Sequence, residues 1–192
     1  MSNYDITLGR FFGVGVGPGD PELLTIKAQR ILSQVQVVFI PQTGLAETSF
    51  AYSIIKDFLD GKRQKVAPLI FPMTKEEAKL KDAWASASNQ IWQVIKEGKD
   101  CAFITEGDPL LYSTFIYIYE IFRDKYPEVS IEIVPGISSV FAAASRAGKP
   151  LALGEDSLAI LSGVSEKNKI RGTLESFNTI ILFELRTVDK RC

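Results

Sequence analysis

Three short stretches of this chain combine glycine with groups able to hold or polarise a ligand. They are Gly13-Val14-Gly15-Val16-Gly17-Pro18-Gly19-Asp20-Pro21, Glu106-Gly107-Asp108-Pro109 and Pro135-Gly136-Ile137-Ser138-Ser139. Each follows an apolar run that reads as a strand and precedes a stretch that reads as a helix. In an open α/β sheet such turns lie beyond the carboxyl ends of the strands, where ligands bind, and glycine lets a ligand approach bare backbone. One turn of this kind carries little information. Three in the same topological position point to a ligand held largely by main chain. Asp108 can favour a cation or accept from an amine or hydroxyl, and it can equally cap the helix that follows. Ser138 and Ser139 can donate to a ligand or cap in the same way. The first stretch lacks the third glycine of the dinucleotide fingerprint and the Gly-Lys-Ser/Thr of the P-loop. Asp20 and Glu22 would also oppose a phosphate at that helix start.

The chain has no histidine. The usual general base and the commonest zinc ligand are therefore missing, which argues against a hydrolytic triad or a zinc site. Net charge is −1, so no general affinity for nucleic acid is expected. Cys101 and Cys192 are too few for a disulfide framework, which fits a reducing compartment and a cytoplasmic location. Met1 to Arg10 is polar without a signal-peptide pattern, and no apolar run reaches membrane length. With 192 residues, 46% of them hydrophobic and 23% charged, a real core is available.

The elements that must position these turns can be read from pattern. Phe11 to Val16 reads as a strand, Pro18-Gly19 as a turn, and Asp20 as the cap of a helix beginning at Pro21 and running to Leu32. Val35 to Ile40 reads as a doubly buried strand ended by Pro41. Glu47 to Leu59 reads as a helix, and Val66 to Phe71, interrupted by Pro68, as an edge strand at best. Thr74 with Glu77 forms a capping-box pattern for a helix that Gly98 stops. Cys101 to Thr105 is a buried strand, Leu110 to Asp124 a helix and Ile131 to Val134 a strand. Val140 to Ala147 is a small-residue helix, and Leu158 to Leu161 and Thr179 to Phe183 are further strands. Tyr112, Phe115, Tyr119 and Phe122 have helical spacing and read as core, Tyr112 being the exception nearest the turn. Trp84 and Trp92 read as packing, and Lys75 to Lys81 as a solvated helix face. The alternation predicts an α/β fold with parallel strands and a domain boundary between Pro135 and Pro150.

At its three turns the chain resembles the tetrapyrrole methylase family, which uses S-adenosyl-L-methionine. The family motifs appear here in order as Gly15-Val16-Gly17-Pro18-Gly19-Asp20, Gly107-Asp108-Pro109 and Pro135-Gly136-Ile137-Ser138-Ser139, and the likeness spans nearly the whole chain. The run from Gly13 to Ala28, the Phe71-Pro72-Met73 triplet and the Tyr112-Ser113-Thr114 triplet resemble the precorrin-2 C20-methyltransferase branch, which includes cobalt-factor II enzymes. The resemblance implies two α/β domains, 1–135 and 136–192, with the cofactor site between them. It implies cofactor contacts at Pro18, Glu106, Gly107, Asp108, Leu111, Ser138 and Ser139, and a substrate contact at Tyr112.

The implied reaction is attack by C20 of a tetrapyrrole on a sulfonium methyl group. Positioning alone can supply ~7–11 kcal/mol to such a step, more than the roughly 3–5 kcal/mol of a general base, so a methylase can work without histidine. The substrate is a polycarboxylate, so Arg123, Arg146 and Lys149 are candidates to line its cleft. The family implies a homodimer. It also continues beyond the length of this chain, so the second domain is expected to be incomplete. One family contact near the strand Ile181 to Leu185 has no clear counterpart.

Overall fold

A computed structural model describes residues 7–44, 47–162 and 167–183. It divides into two compact units, Met1–Ser138 and Ser139–Cys192.

The first unit is a five-stranded parallel sheet with helices on both faces. Its strands are β1 (Phe11–Gly15), β2 (Val37–Gln42), β3 (Lys65–Ile70), β4 (Cys101–Thr105) and β5 (Ile131–Val134), in the order β3-β2-β4-β1-β5. Successive side chains point to opposite faces, and both faces are dry. Phe12, Val14, Val38, Ile40, Ala102 and Ile104 pack with α1 (Ile26–Leu32) and α2 (Phe50–Ile55). Phe11, Val37, Phe39, Cys101 and Phe103 pack with α3 (Glu77–Ile95) and α4 (Phe115–Lys125). This is why the strands read as unbroken apolar runs rather than alternating ones. Gly13 sits on the second face because α4 leaves no room for a side chain: a Cβ there would lie 2.2 Å from the Phe115 ring.

Several local expectations are corrected. The segment after Asp20 is not one helix. A short 3-10 turn, Pro21–Leu23, is followed by extended Leu24, and Thr25 caps α1 by accepting from the Ala28 N–H at 3.1 Å. Strand β2 runs through Pro41, pairing with Leu69 of β3. Alternation aims Pro41 at the β4 side, where pairing has already ended at Phe39, so its missing N–H costs nothing. Pro68 lies on the edge strand, turned outward. Helix α2 starts at Phe50, capped by Ser49, rather than at Glu47. Thr74 accepts from the Glu76 N–H at 3.1 Å and does not cap α3, whose cap position is Glu76 without a side-chain bond. Gly98, at φ +77, ends that chain segment as expected. Helix α4 begins at Phe115, leaving 106–114 as loop.

The aromatic expectations hold. Phe115 and Phe122 are fully buried while Tyr112 is exposed. Trp84 stacks on Tyr117 and Trp92 on Tyr126, with ring centroids 3.9 and 4.4 Å apart. Lys79 and Lys81 pair with Glu76 and Glu77 in solvent.

In the second unit, α5 (Ser139–Ala147) precedes a parallel pair, β6 (Leu158–Ser162) and β7 (Thr179–Phe183), joined through α6 (Lys167–Ser176). Asn178 Oδ1 accepts from the Ser157 N–H and hydroxyl at 2.9 Å each, tying the starts of the two strands. Glu184 and Leu185 lie outside the described residues, as does Cys192.

Candidate functional site

In the first unit, β1 and β4 are neighbours, yet the helix after β1 covers one face and the helix after β4 covers the other. The chain therefore diverges in opposite directions from two adjacent strand ends. This is the switch point at which open α/β sheets leave a crevice.

The glycine turns of the first unit meet at that point. The Val16 N–H donates to the Thr105 carbonyl at 2.9 Å, and the Gly107 N–H donates to the Gly17 carbonyl at 2.8 Å. The turn after β5 closes on both. A Cβ on Gly136 would fall 2.0 Å from the Gly107 carbonyl oxygen and 2.8 Å from Gly15 carbon. A Cβ on Gly15 would fall 2.5 Å from the same oxygen. Only glycine allows three main chains this close. Gly17 and Gly107 also hold φ of +82 and +62, values that side chains disfavour.

Asp108 braces this arrangement. One carboxylate oxygen accepts from the Leu110 N–H at 2.9 Å and the other from the Gly136 N–H at 3.1 Å. The capping alternative thus takes a particular form: Asp108 caps no helix but ties the turn after β4 to the turn after β5. The loop beyond it is anchored at its far end. Ser113 Oγ lies 2.9 Å from Thr105 Oγ1 and accepts from the Phe115 N–H at 3.1 Å. Between these anchors Leu110 and Tyr112 project into solvent, and Tyr112 holds φ 51, the one non-glycine positive φ among the described residues. That backbone state costs an L-residue roughly 1–2 kcal/mol.

The expected contact residues therefore fall as follows. Pro18 is half-buried on the first turn, Glu106 is exposed one residue past β4, and Leu111 is half-buried with its N–H on the Asp108 carbonyl at 3.3 Å. Ser138 is buried, its Cα 3.7 Å from the Cβ position of Gly107. These residues share one mouth with Gly107 and Asp108. Ser139 opens α5 of the second unit. Arg123 is misplaced for a substrate role. Phe122 packs on Phe11 with ring centroids 4.9 Å apart, so this end of α4 lies at the amino ends of the strands, opposite the mouth. Arg146 and Lys149 belong to the second unit.

The structure adds a cleft that pattern reading missed. It has a volume of about 320 Å³ and lies beyond β2, β3 and β4. Pro41, Phe50, Phe71 and Met73 form apolar walls, and Thr114, Glu47 and Glu106 contribute polar groups. Phe50 also reaches to 3.3 Å from the Cβ position of Gly19, so cleft and first turn adjoin. No lysine or arginine lines the cleft among the described residues. The missed signal was the aromatic Phe50 directly after the Thr48-Ser49 start of a helix that follows a strand end.

Residues 10–190 match the family of tetrapyrrole (corrin/porphyrin) methylases. The chain belongs to that family. Over 182 residues it is 40% identical to the Methanocaldococcus jannaschii protein named "Probable cobalt-precorrin-2 C(20)-methyltransferase", covering 95% of this chain and 75% of that one. It is 33% identical over 177 residues to the cobalt-precorrin-2 C(20)-methyltransferase of Salmonella typhimurium, covering 92% and 73%. The X-ray structure of the cobalamin biosynthetic enzyme cobalt precorrin-4 methyltransferase, CbiF, shares the fold with a TM-score of 0.59 at 24% identity, covering 82% of this chain and 59% of that one. The chain thus spans about three quarters of the two relatives and about three fifths of that structure.

Proposed function

We propose that this chain transfers a methyl group from S-adenosyl-L-methionine to C20 of a precorrin-2 macrocycle in cobalamin biosynthesis, with the cobalt-bearing form as its substrate. The observation that carries this reading is the 40% identity across nearly the whole chain to a relative bearing that C20 name. The residues present fit the cofactor. The crowded glycine turns offer main chain rather than side chains, and the adjoining cleft, among the described residues, is lined by carboxylates and by no lysine or arginine, which suits a sulfonium ligand. Pro18, Gly107, Asp108, Leu111, Ser138 and Ser139 would hold it, with Glu106 contributing its main chain. When bound, S-adenosyl-L-methionine supplies an electrophilic methyl group, so the hard chemistry resides in the cofactor.

The protein's part is placement. The adjoining apolar cleft takes the rim of a flat macrocycle, where the bridging carbon C20 lies, and Tyr112 contacts the macrocycle from the anchored loop. The carboxylates of the substrate stay outside the cleft, away from Glu47 and Glu106. Excluding water and fixing the approach of two bound reactants is worth ~7–11 kcal/mol. We further propose a homodimer, a cytoplasmic location, and a domain boundary near Pro135. The test is incubation of the protein with S-adenosyl-L-methionine and cobalt-precorrin-2, following S-adenosylhomocysteine release. Turnover supports the reading, and no release at any cofactor concentration overturns it.

A further inference from the structure

We infer that the Glu106 carboxylate is the proton acceptor of the methyl transfer, an assignment that rests on the function proposed above. The chemistry requires an acceptor. A bridging carbon that gains a methyl group exchanges it for its hydrogen. The new carbon–carbon bond forms as the carbon–sulfur bond of the sulfonium donor breaks, with that electron pair remaining on sulfur. The C20 hydrogen then leaves as a proton, and its bonding pair restores the conjugated macrocycle.

The cleft restricts what can take that proton. Among the described residues its lining carries two carboxylates, Glu47 and Glu106, and the chain has no histidine.

Position separates the two glutamates. Glu106 follows β4 directly, between Thr105 and Gly107. The Thr105 carbonyl accepts from Val16, and the Gly107 N–H donates to Gly17. Its backbone is thus fixed on both sides against the first turn, and Thr105 is further held through Ser113. It stands where the cofactor turn and the cleft share a residue. Glu47 lies on the connection ahead of α2, in a turn closed by its N–H on the Gly44 carbonyl at 3.2 Å. An acceptor must be held within hydrogen-bond reach of the reacting carbon, and the rigid position is that of Glu106.

The experiment compares wild type, Glu106→Gln, Glu106→Asp and Glu47→Gln, measuring kcat and KM across pH with cobalt-precorrin-2, and S-adenosylhomocysteine affinity by calorimetry. The expected result is a fall in kcat of about 10²–10⁴-fold in Glu106→Gln. KM and cofactor affinity should stay within about threefold, and the acid limb of the wild-type pH profile should vanish, with partial recovery in Glu106→Asp. Three results would overturn the assignment: wild-type kcat in Glu106→Gln, loss of cofactor affinity in step with kcat, or an acid limb abolished by Glu47→Gln instead. Absence of turnover in the wild type refutes the underlying function, and the assignment with it.

Discussion

Replacing Asp108 with alanine removes the brace between two turns, and its cost can be worked from the geometry. Two main-chain N–H groups lose their acceptor, at 2.9 and 3.1 Å. A hydrogen bond to a charged group contributes about 1.5–3 kcal/mol. Leu110 is exposed, so its N–H recovers water and most of that bond's worth is returned. Gly136 is wedged where a Cβ would meet the Gly107 carbonyl at 2.0 Å, so its N–H has little access to a replacement and loses nearer the full value. The sum is about 2–3 kcal/mol, which for a chain of this size is a fall in Tm of about 4–12 °C. The same change loosens the mouth, and S-adenosylhomocysteine affinity should fall about tenfold or more, since each tenfold is about 1.4 kcal/mol. Thermal unfolding and calorimetry read the two effects, with Asp108→Asn, which keeps one acceptor oxygen, expected between wild type and alanine. An alanine variant that melts and binds like wild type would refute the bracing role. A lowered Tm with unchanged affinity would show that the brace serves the fold alone.

Other consequences are more local. Gly136→Ala should cost about 2–4 kcal/mol by overpacking three main chains, read by denaturant unfolding. Ser88→Ala should raise stability by about 1 kcal/mol, because Ser88 Oγ on α3 is buried without a hydrogen-bond partner and alanine is the better helix former; urea midpoints test this. Partial burial pushes the Asp100 carboxyl up, but the hydrogen bonds from the Arg10 guanidinium and N–H outweigh it and hold the group below its usual range. The folded value is therefore below the unfolded one. The stabilisation is present above the ordinary aspartate value of about 3.9 and is lost as pH falls through the depressed one. Arg10→Gln should flatten that acid limb in a pH series of unfolding curves.

The sheet was legible because every interior strand is dry on both faces, which turns position into plain hydrophobicity. The runs at Phe11, Val37 and Cys101 announce themselves for that reason. Helix starts were harder. Asp20-Pro21 has good capping chemistry, yet it starts only a 3-10 turn, because Thr25 offers a second cap where the chain must bend toward the sheet. Thr74 and Glu77 match a capping box, but Thr74 spends its oxygen on the Glu76 N–H. Residues 110–114 were read as the start of a helix from their apolar spacing, whereas α4 begins at Phe115. That spacing is overridden by Asp108 and Ser113, whose side chains take up Leu110, Gly136 and Phe115 N–H groups instead. The glycine turns were recognisable as turns at strand ends, whereas their contact with one another was not. Nothing in composition says that Gly15, Gly107 and Gly136 touch. The cleft was invisible for the same reason, since Phe50, Phe71 and Met73 come from separate connections that only the strand order brings together.

The central claim is the position methylated. Incubating the protein with cobalt-precorrin-2 and S-adenosyl-L-methionine labelled with carbon-13 in the methyl group, then locating the label in the isolated product by NMR, tests it directly. The expected product carries a single labelled methyl group, on C20. A label on any other ring carbon, or none in the product while S-adenosylhomocysteine binds, would contradict it.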